Sequence, residues 1–208
     1  MDSLIIFYVF ALALTVSILL IIYFPVLYAK EKQNVIAQIE DVREDEGEAV
    51  SYPLSLVLML TFPVLVFYHT EEFALSIYCF VFAMLAYADL SARWLPDILL
   101  YVMLAISMYM VRDAALLNIV VPVILFVAPA VMLNVSAIMK RKQQPIANGD
   151  FYIFPSIGMT LQDEYAFAIM AISIFVSILV SKRIKKVPFV LILYIAYGGY
   201  LTCISLGL

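Results

Sequence analysis

Long apolar runs, broken by short polar clusters, follow one another down this chain. The runs lack strict alternation of apolar and polar positions, so they predict helices rather than the strands of a barrel. A membrane-crossing helix needs about 20 such residues, within a range of about 17–25. Ser3–Ala29 and Ala115–Met139 meet that length outright. Pro53–His69, Phe73–Ala88, Asp97–Val111, Tyr165–Ser181 and Val187–Leu208 also fit, some at the short end. One further run, Phe151–Leu161, covers roughly 17 Å of a hydrocarbon core about 30 Å thick. The pattern predicts an all-α, polytopic transmembrane helix bundle of about eight spans.

Composition agrees. Of 208 residues, 66% are hydrophobic and 13% charged, against about 45–50% and about 25% in soluble domains. The surplus apolar surface calls for lipid. The first run is read as a span and not as a cleaved signal peptide, because it far exceeds a signal h-region and no basic residue precedes it. Cys79 and Cys203 fall inside apolar runs, which predicts two buried thiols rather than a disulfide framework or a metal cluster. The net charge of −4 gives no sign of nucleic-acid binding, because the acids concentrate in one loop.

The basic residues set an orientation. Alternating spans place Ala29–Tyr52, Asp89–Pro96, Lys140–Gly149 and Lys182–Lys186 on one side, with eleven of the twelve Lys and Arg residues; only Arg112 falls on the other. Basic residues mark the cytoplasmic side of short loops. The expectation is a multi-pass protein of the cell membrane with both termini outside and these four loops in the cytoplasm. The partition holds only if Phe151–Leu161 counts as a crossing. Residues 1–72 then form two N-terminal spans joined by an acidic cytoplasmic loop (29–52), and 73–208 form a six-span core.

Candidate chemistry follows by elimination. His69 is the lone histidine, so a two-histidine zinc protease is excluded. Its place at a span end reads as interfacial. Asp2, Glu71, Glu72, Asp113, Asp163 and Glu164 mark the outer side as solvated acids. Asp89, Asp97 and Asp150 sit at cytoplasmic helix ends, and ionisable groups at membrane depth are functional suspects. Asp97 follows Pro96 and reads as a helix cap or first-turn acid. Asp89 lies near a helix C-terminus, the unfavourable end of the dipole for an anion. Pairing with Arg93, one turn on, is one account of it, and catalysis is another. Asp150 opens the short run after Asn148–Gly149 and could cap it. Yet Asp89 and Asp150 share one edge of the bundle, and two carboxylates converging on a water molecule can divide acid and base roles.

Two motifs resemble those of the type IV prepilin peptidases, which include the archaeal preflagellin peptidases. Asp89-Leu-Ser-Ala-Arg-Trp-Leu-Pro-Asp97 is similar to a family pattern of aspartate, three residues, a basic pair, an aliphatic residue and Pro-Asn. Here Trp94 stands for the second basic residue and Asp97 for the asparagine. Ala147-Asn148-Gly149-Asp150 is similar to GxGD, with Ala147 for the first glycine. Lys186-Val187-Pro188-Phe189 resembles the basic-x-Pro-Phe start of the family's last helix. The resemblance covers about two-thirds of the chain. It implies a membrane-embedded aspartic endopeptidase with Asp89 and Asp150 as the catalytic pair. Arg93, Pro96, Gly149, Lys186, Pro188 and Phe189 would support them, without metal or organic cofactor. The implied substrate is a membrane-inserted prepilin or preflagellin precursor, cleaved at the cytoplasmic face to release a short basic leader. Bacterial relatives also N-methylate the product and carry a cysteine-rich loop. The loop here has no cysteine, so methylation and a zinc site are not expected. Its acids, Glu40, Asp41, Glu44, Asp45, Glu46 and Glu48, could attract a basic leader.

Two other readings are weaker. A presenilin-like or signal-peptide-peptidase-like protease would carry Tyr-Asp where this chain has Ala88-Asp89, and its acids lie on adjacent helices. A small transporter or non-enzymatic scaffold would suit short helices, but no ionisable residue lies mid-span and no two halves correspond.

Overall fold

The computed structural model describes residues 52–92, 95–140, 145–183 and 187–205, together with positions 11, 14, 15 and 18. The expected span Ser3–Ala29, apart from those four positions, and the acidic loop lie outside the described residues, as do Arg93, Trp94 and Lys186. Among the described residues the fold is all-helical. Its elements are α1 (Tyr52–Thr70), α2 (Phe73–Ala92), α3 (Asp97–Met110), α4 (Leu116–Met139), a short 3-10 helix (Asn148–Tyr152), α5 (Phe154–Met159), α6 (Asp163–Ser181) and α7 (Phe189–Ser205).

Helices α1, α2, α4 and α6 are each long and apolar enough to cross a membrane, and α3 and α7 are shorter apolar helices. Large side chains such as Met132, Phe175, Ile124 and Phe167 stand more than half exposed. Water would not tolerate so continuous an apolar exterior, and lipid would. The chain is therefore membrane-associated.

Helix α2 is the axis of the bundle. Every residue from Val81 to Asp89 is buried, with α1, α3 and α7 packed around it. On the far side α4 packs on α6 and α5, and α6 closes back onto α7. Buried polar side chains bond across helices, since lipid offers them no partner. Ser76 donates to the carbonyl of Pro63 at 2.8 Å, and the Tyr194 hydroxyl to that of Leu58 at 2.9 Å.

The run Phe151–Leu161 departs from its expectation of one apolar helix. It divides into the end of the 3-10 helix and the six-residue α5, with Ile153 between them. Pro155 sits in the first turn of α5, where its missing N–H costs nothing. Two contacts fix the course of this segment along α4. Ile146 is bonded to Asn134, and Gly158 lies against the backbone of Val123. The α4 stretch from Val123 to Asn134, eleven steps of the helix, measures about 16 Å. Hydroxyls tie the far end to the bundle. Tyr78 and Ser156 share a hydrogen bond of 3.4 Å, Tyr197 donates to Thr160 at 3.0 Å, and the Gln162 N–H donates to the Tyr200 oxygen at 3.1 Å.

Gly158 is what allows α5 so close to α4. A Cβ there would stand 2.7 Å from the Val123 Cα, a backbone atom that cannot swing aside; small residues permit this approach in membrane bundles. Gly158→Ala is expected to destabilise the protein by about 1–3 kcal/mol, read as a lowered thermal midpoint in detergent. Gly199→Ala, whose Cβ would meet nothing within 4 Å, is the control expected to leave the midpoint in place.

Candidate active site

Residues of the sequence motifs come together at the start of α7. Pro188 precedes that helix and Phe189 opens it; both are buried. The first helical bond runs from the Ile192 N–H to the Pro188 carbonyl at 3.3 Å. Earlier N–H groups of a helix need acceptors from elsewhere, and the proline ring supplies none. Asp89 does: the Val190 N–H donates to its Oδ2 at 2.8 Å, across 101 residues of chain. The buried Asp89 thus closes the α7 N-terminus from another helix. Pairing with Arg93 was one expectation for this acid, and Arg93 lies outside the described residues.

The Asp150 turn is held against the same place. Phe189 packs on Phe154, ring centroids 6.0 Å apart, and Phe154 on Phe151 at 4.9 Å and Phe126 at 5.9 Å. These rings make an apolar floor joining α7, α5 and α4. Asp150 is half-buried. Its N–H donates to the Ala147 carbonyl at 3.1 Å, and its own carbonyl accepts from Ile153 at 3.3 Å. Burial pushes its carboxyl up from 3.8 to about 7, and repulsion from Asp89 adds to this. The backbone amide of Ala147 acts in the opposite sense, as a donor favouring the carboxylate. Asp89 and Asp150, 61 positions apart in sequence, are therefore near enough to feel each other's charge.

Other expected residues fall as follows. Pro96 is buried and is the N-cap residue of α3, its carbonyl accepting from Leu99 at 3.0 Å and Leu100 at 3.3 Å. Asp97 is not the cap: it is exposed in the first turn and makes no capping side-chain bond. The Asp150 helix likewise has Ala147, not an acid, at its N-cap. Gly149 is exposed, and a Cβ added there would meet nothing within 4 Å, so the backbone beside Asp150 is open to an approaching chain. Cys79 is buried as expected, but Cys203 is exposed near the end of α7, because the apolar run there faces outward rather than into the core. His69 is exposed at the end of α1, edge-on to Tyr68.

Sequence reasoning passed over Asn134. It is buried in α4 and forms two hydrogen bonds with the backbone of Ile146, just ahead of the Asp150 turn. The signal was present as an amide inside the apolar run VMLNVSAIM. No protein-family model, no curated protein and no solved structure matches the chain.

The raised proton affinity of Asp150 makes stability depend on pH. Between the unfolded value of 3.8 and about 7, the native chain holds a proton that the unfolded chain has released. The associated stability is complete below the lower value and is lost as pH rises through the upper one. Asp150→Asn removes this dependence. Its thermal midpoint, measured relative to wild type, is expected to climb from pH 4 to pH 8. A constant difference across that range would contradict the site's electrostatics.

Proposed function

We propose that the chain is a membrane-embedded aspartic endopeptidase of the prepilin-peptidase kind. The observation that carries this reading is that Asp89, hydrogen-bonded to the N-terminus of α7, lies within reach of the charge of Asp150, whose carboxyl burial pushes up to about 7. Two carboxylates in unlike surroundings can act as base and acid toward one water and one peptide. Asp89 takes the base role. The positive end of α7 suits a negative charge there. Asp150, protonated, donates to the scissile carbonyl as Asp89 withdraws a proton from water. The oxygen of that water bonds to the carbonyl carbon. The tetrahedral intermediate then collapses with cleavage of the C–N bond. Asp89 passes its proton to the departing amine, Asp150 recovers its own from the intermediate's hydroxyl, and the leader leaves with a new carboxyl end. Neither step calls for a metal or an organic cofactor.

The proposed substrate is a membrane-inserted precursor with a short basic leader and a hydrophobic helix, of the prepilin or preflagellin type. Cleavage falls at the cytoplasmic face, where eleven of twelve basic residues would lie if all eight runs cross. In this topology residues 73–208 are a six-span core and Phe151–Leu161 is its shortest crossing. The acidic loop would concentrate basic leaders.

One observation favours a non-enzymatic scaffold instead: a carboxylate that caps α7 has a structural task already. The two readings separate cleanly. Asp89→Asn keeps a carbonyl oxygen for the Val190 N–H but cannot serve as a base. In liposomes with a basic-leader precursor, Asp89→Asn and Asp150→Asn are each expected to lower kcat at least about 100-fold while remaining folded. Asp97→Asn is expected to retain activity. Full activity in either of the first two variants would remove the peptidase assignment. A folded Asp89→Asn protein, set against a destabilised Asp89→Ala, would establish the cap.

A further inference from the structure

We infer that Asn134 is a positioning residue for Asp150, acting through the Ile146–Ala147 peptide; this rests on the peptidase reading above. Its Nδ2 donates to the Ile146 carbonyl at 2.9 Å, and its Oδ1 accepts from the Ile146 N–H at 3.2 Å. A primary amide offers a donor and an acceptor in one plane, so Asn134 grips the backbone as a neighbouring strand would. Both residues are buried, which shields the bonds from competing water.

The grip reaches the acid through one rigid unit. The Ile146 carbonyl and the Ala147 N–H belong to the same planar peptide. Holding the carbonyl end therefore orients the N–H end, and that N–H is the donor that favours the Asp150 carboxylate. The Ala147 carbonyl, beyond the Cα in the next peptide, accepts from the Asp150 N–H at 3.1 Å. Asn134 thus anchors the start of the turn whose end carries the acid. The anchor itself is firm, because α4 is braced by α5 and α6. An amide buried in an apolar helix needs such a partner, and the choice of this loop places it where a site on irregular backbone would otherwise drift.

The test uses the full chain in liposomes and a precursor peptide with a Lys- and Arg-rich leader ahead of a hydrophobic helix. Asn134→Leu removes both bonds. Asn134→Ala leaves room for water and serves if the leucine variant does not fold. Either is expected to lower kcat about tenfold or more per folded molecule, with KM within about twofold, since the groups that bind the leader are untouched. Asn134→Gln, which restores the amide one methylene displaced, is expected to recover part of the kcat. A wild-type kcat in the leucine or alanine variant would overturn the inference, as would a loss that merely follows the folded fraction. Amide hydrogen exchange separates this idea from the peptidase reading. If the wild-type chain leaves the precursor intact, the peptidase reading falls. Faster exchange over 146–150 in Asn134→Ala, with the helices unchanged, would then still uphold the positioning of Asp150, and unchanged exchange would overturn that as well.

Discussion

A helix that begins inside an apolar bundle starts with N–H groups that lipid and core cannot satisfy. The last helix of this chain begins at Pro188–Phe189, where its own sequence offers no side-chain acceptor. Asp89 meets that need, and the arrangement of this edge of the bundle follows from it. Near the C-terminus of α2 an anion faces the wrong end of its own helix dipole. The positive end of α7 is brought beside it and offsets that cost. Phe189, the next residue along, then packs on Phe154 and draws the Asp150 turn to the same spot. One unsatisfied helix start thus gathers three motifs that lie far apart in sequence.

The same edge lies close to the opposite side of the bundle. From the Asn134 level of α4 to the Val123 level is about 16 Å, and from Val190 to Tyr200 along α7 is about 15 Å. Gln162 and the acids of the α6 start, Asp163 and Glu164, therefore stand only about half a hydrocarbon thickness from the Asp89–Asp150 pair. If Phe151–Leu161 crosses as proposed, lipid thins over α5 or water reaches into the turn, and the proposed hydrolysis would draw on that same water without a polar channel through the core.

Much of this was legible in the residues, and the failures have specific causes. Periodicity and run length located α1 to α4, α6 and α7 to within a few residues, because each is a long apolar stretch bounded by charge, proline or glycine. The acids Asp89 and Asp150 stood out because ionisable groups at membrane depth are rare. That they share one edge of the bundle was read from the order of the spans, but the tie of Asp89 to α7, a hydrogen bond spanning 101 residues, was not. Asp97 was expected as a cap or first-turn acid of α3 from its position after Pro96. It lies in the first turn, with Pro96 as the N-cap residue, because local sequence does not fix which residue first turns helical. Phe151–Leu161 reads as a single apolar run, yet the backbone tightens into a 3-10 turn before α5. Apolar pattern is blind to that change. Asn134 escaped notice for the opposite reason. A lone amide in a long helix looks like tolerated polarity until its partner, twelve residues on, is seen.

The departure from GxGD at Ala147 also gains a physical reading. A glycine at that position would let the peptide ahead of the acid adopt many orientations. Here the orientation is set from outside, by Asn134 gripping Ile146, and Ala147 is extended, with φ −66° and ψ 147°, where an L side chain carries no strain. Its methyl group is exposed rather than wedged against a neighbour. Alanine therefore costs the turn nothing, and it lowers the entropy of the unfolded segment relative to glycine. The freedom that matters next to the acid is retained two residues later, at Gly149, where a Cβ would meet nothing within 4 Å. Rigidity before Asp150 and openness beside it suit the acid role proposed for its carboxyl, which would hold one direction while a peptide chain comes to it.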